Sequence, residues 1–176
     1  MSLKILGIDL AGRPENPTGI CLFKNNETCF KTVYSDEQIF RIVSEFKPDI
    51  IAIDAPIIKR GQPHVREADR LLQKYKTLPP TLPSMKLLTL RGSKLAAKLR
   101  TRYRIIEVFP TATAKILGIY NRDYRETVKK LKINVKNKHE LDAYLCCVTA
   151  KMHLEKKTVT IGDKDGKIVI PAEGAI

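Results

Sequence analysis

The amino-acid sequence predicts an α/β protein with a mixed central sheet, helices on both faces and an inserted helical lid. Three observations carry that reading. Residues 4–10 (KILGIDL) and Ile50–Asp54 (IIAID) have the unbroken hydrophobicity of strands covered on both sides. Two further strands and a helical repeat lie between them, giving the order β-β-β-α-β. An irregular stretch, another strand and several helices come next. The length of 176 residues suits one domain spanning residues 1–176. A chain of that size buries about 70% of its extended surface and needs no disulfide or metal staples.

The first strand, residues 4–10, ends at Asp9-Leu10. Thr18–Lys24 and Glu27–Val33 flank Asn25-Asn26, a pair suited to a two-residue hairpin turn. In that register Cys21 faces Phe30 and Cys29 faces Leu22, so the two thiols point to opposite sheet faces and cannot bridge. Asp36 caps a helix to about residue 46, with Ile39, Ile42, Val43 and Phe46 on its apolar face. Pro48 breaks that helix and Pro56 ends the strand Ile50–Asp54. Residues 57–90 suit a lid or inserted subdomain: 65–75 reads as a helix, and Pro79, Pro80 and Pro83 break the chain beyond it. Ser93 caps a short helix to residue 102, with Leu95 and Leu99 inward. Residues 104–109 (RIIEVF) form a strand stopped by Pro110. One helix then ends at Gly118 and another begins near Asp123. Asn137 and Glu140 have capping-box spacing for a helix over 138–154, with Leu141, Leu145, Val148 and Met152 as its buried stripe. Residues 159–162 and 167–170 read as a terminal hairpin.

The net charge is +13, and residues 86–138 hold 15 Lys/Arg against 3 Asp/Glu. Such a block suits a polyanion, whose counterions it would release; a solvated Lys-rich surface is the plain alternative. Arg91, Lys94, Lys98 and Arg102 are its candidates for nucleic-acid contact. No apolar run reaches the ~18 residues of a membrane span. The first residues lead into a strand pattern with no secretory leader expected. Cys21, Cys29, Cys146 and Cys147 form no C-x-x-C pair, so zinc is not expected, and reduced thiols point to the cytoplasm. No phosphate-loop, dinucleotide or nucleophile-elbow motif is present.

Asp9 and Asp54 close the two apolar strands, at the sheet end where α/β proteins bind ligands. Asp142 lies one residue off the stripe of its helix, and His139 stands three residues before it on the same face. Three crowded carboxylates need a cation, and hard oxygen ligands suit Mg²⁺ or Mn²⁺. Two such ions about 3.5–4 Å apart would clamp a scissile phosphate. His139 suits a ligand or proton-transfer role. Each acid taken alone reads more often as a turn or cap residue, and it is the set of three that points to a site. Glu107, amid apolar neighbours, is either a fourth carboxylate or half of a buried ion pair. Arg66 and Arg70, four apart with Asp69 beside them, either grip phosphates or form an intrahelical ion-pair ladder.

Several segments together resemble the domain-of-unknown-function family numbered 429, regarded as predicted nucleases of the RNase H-like superfamily. They are Gly7-Ile8-Asp9-Leu10-Ala11-Gly12 with Thr18-Gly19, Ile53-Asp54-Ala55-Pro56, READRL from Arg66 with Pro79-Pro80, and Leu90-Arg91-Gly92. Glu107-Val108-Phe109-Pro110, Leu141-Asp142-Ala143 and the tail from Ile161-Gly162-Asp163 to Pro171 complete the set. The resemblance implies an RNase H-like fold, a metal site of Asp9, Asp54 and Asp142, and phosphodiester hydrolysis in DNA or RNA. The spacing His139-x-x-Asp142 is similar to that of some RuvC-type junction resolvases. Asp54 departs from the Glu that many of them carry. Two other functions fit the pattern: a non-catalytic nucleic-acid binder, and a nucleotide-binding phosphotransferase of related fold.

Overall fold

The computed structural model describes residues 2–174. β1 (Lys4–Asp9), β2 (Thr18–Lys24) and β3 (Glu27–Val33) form an antiparallel meander. Asn25 and Asn26 take φ of 54° and 62°, the left-handed pair that lets a two-residue turn match the twist of its strands. Cys21 pairs with Phe30 and Cys29 with Leu22. All four cysteines are free thiols. β4 (Ile50–Asp54) joins β1 in parallel and β5 (Arg104–Val108) joins β4 in parallel. The terminal hairpin, β6 (Thr158–Gly162) and β7 (Lys167–Pro171), docks through β7 parallel to β5. The seven strands run in the order β3-β2-β1-β4-β5-β7-β6.

Helices cover both faces, as expected. α1 (Asp36–Phe46) and α3 (Pro83–Leu99) close one core over Leu6, Ile8, Ile51 and Ile53. α6 (Lys138–Leu154) lies on the other face over Ile5, Ala52 and Val108. α4 (Pro110–Ile116) and α5 (Tyr124–Leu131) pack against its outer side. α2 (Glu67–Leu71) is short. Among the described residues no helix is long and apolar enough to cross a membrane.

Four local expectations are corrected. Ser35, rather than Asp36, caps α1: its Oγ accepts from Gln38 N while Gln38 Oε1 accepts from Ser35 N, a reciprocal capping box. The helix expected over 65–75 shrinks to α2 and a 3₁₀ turn at Gln73–Tyr75. The expected lid ends earlier than residue 90, because α3 starts at Pro83. Proline at the first helical position has no intrahelical N–H to lose, so it starts this helix instead of breaking it. Ser93 is therefore mid-helix, where its Oγ accepts from Ile58 N at 3.0 Å.

The buried stripe of α6 also shifts. Leu141 and Leu145 are buried as expected, but Val148 and Met152 are only half-buried. Ala143, Cys146, Cys147 and Ala150 face the sheet instead. Small side chains there let the helix backbone approach the strands. A Cβ added at Gly7 would overlap the Ala143 carbonyl, and one at Gly19 would overlap the carbonyl of His139. Asn137 caps α6 by accepting from Glu140 N at 3.0 Å. The Glu140 carboxylate does not close the box. It accepts from Lys136 N and Thr32 Oγ1, tying the start of α6 to β3.

Gly19→Ala should accordingly push the start of α6 off β2. Overpacking costs about 1–3 kcal/mol, and a backbone obstacle puts this case at the upper end. Urea unfolding should show that loss. An unchanged midpoint would mean that α6 is free to shift and that the close contact sets nothing.

Candidate functional site

Asp9 and Asp54 are direct register partners at the ends of β1 and β4, and neighbouring strands lie about 4.8 Å apart. α6 crosses this end of the sheet and adds Asp142 and His139 from its first two turns. The four residues expected to form one site thus sit at one end of the sheet and the helix packed on it. His139 Nδ1 lies 2.8 Å from Asp9 Oδ2. A carboxylate only accepts, so Nδ1 carries the proton and Nε2 is left for other partners. Lys138 Nζ pairs with Asp142 Oδ2. The Asp9 and Asp142 side chains are 13% and 14% exposed, so the charges interact in a partly dry setting.

The electrostatics reflect that crowding. Burial pushes the Asp54 carboxyl well above the usual carboxylate range, and the charges of Asp9 and Asp142 push it further. Asp142 rises to about 6, through burial and then Asp9, against the opposing pull of Lys138. The hydrogen bond to Asp9 raises His139. Desolvation acts to lower Lys138, yet Asp142, Asp9 and Asp54 together raise it. Among the described residues no three His, Cys, Asp or Glu side chains stand as a ready-made metal-ligand group. Convergence on an ion requires Asp9 and Asp142 to exchange His139 and Lys138 for it. The donor set fits a hard divalent cation: three carboxylates are crowded together, and an ammonium group already stands in as their counter-charge.

Glu107 resolves as half of a buried ion pair. Arg66 Nη1 and Nη2 each donate to it at 2.7 Å, and Arg66 also donates to Asp69 and to the Ile57 carbonyl. Every guanidinium N–H is engaged, and Arg66 is 1% exposed. Burial raises Glu107 to about 7, against the downward pull of Arg66. Arg66 itself is held above its usual range: desolvation is outweighed by its hydrogen bonds to Glu107 and Asp69. The expectation that Arg66 contacts nucleic acid is therefore corrected, since it has neither exposure nor a free donor. Arg70 is exposed on α2.

Arg91 is also corrected. Its Nε donates to Asp36, Nη1 to the Ala11 carbonyl and Nη2 to the Tyr34 carbonyl, so it fastens the loop after β1 to the start of α1. Lys94, Lys98 and Arg102 are exposed. Ser84 and Leu88 of α3 lie against Gly12, and Gly92 lies against Ala55 and Pro56. The helix therefore runs back from the carboxylate end, and Lys98 is about 9 Å along the axis beyond Gly92. Lys98 rests over the Phe40 ring.

A groove that the sequence did not reveal adjoins Asp142 instead. It encloses about 100 Å³ among Tyr120, Asn121, Arg122, Tyr124, Lys138 and Asp142. Lys115 lies 5.1 Å from the Tyr120 ring centre and Arg125 lies 5.7 Å from that of Tyr124. Aromatic rings interleaved with cations suit stacked bases and phosphates. The available signal was Tyr120-Asn121-Arg122 inside the basic block, just before a helix cap.

The sheet order and the placing of α6 define the RNase H-like fold, and a solved structure agrees. RuvC of T. thermophilus, in complex with a Holliday junction substrate, superposes with a TM-score of 0.51 over 87% of this chain and 96% of its own, at 12% identity. No protein-family model and no curated protein sequence matches the chain.

Two measurements test these assignments. Asp142 has a folded-state pKa above its ordinary value of 3.8, so its stabilising contribution is complete below about pH 4 and is lost as pH rises through about 6. Asp142→Asn should therefore gain on the native, metal-free protein across that window, by roughly 2–3 kcal/mol. Urea midpoints that differ by the same amount at every pH would make Asp142 a simple structural residue. Arg66→Met strands two buried carboxylates and should cost about 3–5 kcal/mol. Urea unfolding should show that loss; an unchanged midpoint would mean that the cluster does not fasten α2 to β5.

Proposed function

We propose that this chain is a Mg²⁺- or Mn²⁺-dependent nuclease that hydrolyses phosphodiester bonds in nucleic acid, and that it belongs to the family numbered 429. The observation that carries the reading is the register pairing of Asp9 with Asp54, beneath a helix that adds Asp142 and His139 at the same end. The RNase H-like fold and the aromatic, cationic groove beside Asp142 support it.

Asp9, Asp54 and Asp142 would hold the metal, which would supply an activated water and charge neutralisation at the leaving oxygen. His139, which pairs with Asp9 in the metal-free protein, would be freed when Asp9 turns to the metal, leaving its ring beside the site to move a proton. Lys138 serves as counter-charge to Asp142 until metal arrives. Arg122 and Lys115 would neutralise phosphates along the groove, with Tyr120 and Tyr124 as stacking surfaces. The four free thiols suit a reducing cytoplasm.

A screen of branched, single-stranded and duplex DNA and RNA with Mg²⁺ or Mn²⁺ should find a cleaved substrate, with Asp9→Asn inactive. Mn²⁺ at about 100 times its dissociation constant adds about 2.7 kcal/mol, so the melting temperature should rise by about 5–10 °C. Asp9→Asn should gain much less. Oligonucleotide binding with neither a Mn²⁺ shift nor cleavage would overturn the enzyme and leave a non-catalytic nucleic-acid binder.

A further inference from the structure

A second cavity adjoins the carboxylates on the side of Asp54. It encloses about 250 Å³ between the ends of β4 and β5 and the segment from Arg66 to Leu88. Thr111 lines both this cavity and the groove beside Asp142, so the two hollows flank the candidate metal site.

The chemistry of the walls selects the occupant. Leu78, Met85, Leu88 and Phe109 present apolar and aromatic surface. Thr77, Thr111 and Lys76 bring polar groups to the same space. The Thr77 hydroxyl donates to the Leu72 carbonyl, which leaves its oxygen to accept, while the Lys76 ammonium donates. The floor is the Arg66, Asp69 and Glu107 cluster, whose guanidinium donors are all engaged. Asp54, Asp69 and Glu107 place three carboxyl groups around the cavity against one guanidinium and one ammonium, a balance that rejects phosphate. The volume falls just under the ~300–1,000 Å³ of pockets for drug-sized ligands, so one ring system fits and a base pair does not.

Resting on the nuclease reading for its connection to the scissile bond, we infer that this cavity receives one unpaired nucleobase of the bound strand, beside the phosphate that a metal ion at Asp9 and Asp54 would hold. The base stacks on Phe109 among the leucine and methionine walls, and its polar edge meets Thr77, Thr111 and Lys76. A base inside a duplex cannot enter without leaving its stack, which costs a few kcal/mol and least at single-stranded or mismatched positions. The pocket therefore directs the protein to unpaired nucleotides. It is held open by the Arg66 ion cluster, which bolts the start of α2 to β5.

The methionines provide the test. Met85 lines this cavity, whereas Met152 lines a separate one with Phe23 and Tyr144. In protein labelled at the methionine methyls, with chelator present, nucleosides added to millimolar concentration should move the Met85 signal saturably and leave that of Met152 in place. Inorganic phosphate should move neither. A short single-stranded oligonucleotide should shift Met85 at lower concentration than the nucleoside, and the same sequence in a blunt duplex should not. A still Met85 signal with nucleosides, an equal response to phosphate, or an equal response to duplex overturns the inference. The titration needs neither metal nor cleavage. A protein that cuts nucleic acid without moving Met85 overturns the base pocket alone, and one that moves Met85 but never cuts overturns the nuclease alone.

Discussion

Everything at the carboxylate end depends on how closely α6 lies on β1 and β2. The helix carries two residues of the candidate site, the strands carry the others, and no loop adjusts the distance between them. Gly7 and Gly19 remove the side chains that would hold the layers apart, at points where the Ala143 and His139 carbonyls occupy the space. Ala143, Cys147 and Ala150 are correspondingly small and fully buried on the helix side. The Glu140 carboxylate then fastens the helix start to Thr32 of β3. With the axis held, His139 reaches Asp9 and Asp142 reaches the same cluster. An ordinary leucine-lined interface would set the layers farther apart and separate the two halves of the site.

Two groups of acids in this fold illustrate opposite solutions to charge burial. Asp69 and Glu107 share one guanidinium whose five N–H groups are all spoken for, so their charges are compensated in place. Such a cluster costs a large desolvation penalty and fixes geometry more than it stabilises. Asp9, Asp54 and Asp142 have only a half-exposed histidine and the flexible ammonium of Lys138 to oppose them. Burial raises Glu107 despite its guanidinium, whereas burial of Asp54 is compounded by the charges of Asp9 and Asp142, and that of Asp142 by the charge of Asp9. Incomplete compensation at the mouth of a groove marks a place where charge is meant to arrive from outside.

The sheet is legible in the sequence because its signals are local. Unbroken apolar runs ending in Asp9 and Asp54, the Asn25-Asn26 turn and the stripe of α1 each declare themselves within a few residues. So do the three acids, since strand ends and helix faces come from periodicity. The features that escape sequence reasoning are those decided by tertiary partners. Pro83 reads as a breaker unless the helix is known to begin there. Arg66 and Glu107 lie 41 residues apart in sequence, and nothing local reveals that one saturates the other. Periodicity alone assigns the largest side chains of α6 to its buried stripe. The strands beneath it carry glycines, so half of that stripe gives way to small residues.

The basic block shows the same limit and also resolves it. A charge count over residues 86–138 treats Arg91, Lys98, Arg122 and Lys138 alike. The fold separates them by direction. Because α3 runs away from the carboxylates, each further residue along it moves a cation from the candidate site, and Arg91 is consumed by two carbonyls and Asp36. β5 then returns the chain to the carboxylate end in five residues, so α4, α5 and the loop between them begin beside Asp54 and Asp142. Lys115 and Arg122 inherit that position from the strand's direction, and Lys138 reaches it from the start of α6. A polyanion drawn to the whole basic face would thus meet aromatic rings and carboxylates together only at the mouth formed by α4, α5 and α6. Basic charge is spread over residues 86–138, whereas aromatic rings, cations and carboxylates adjoin one another where a parallel strand carries the chain back.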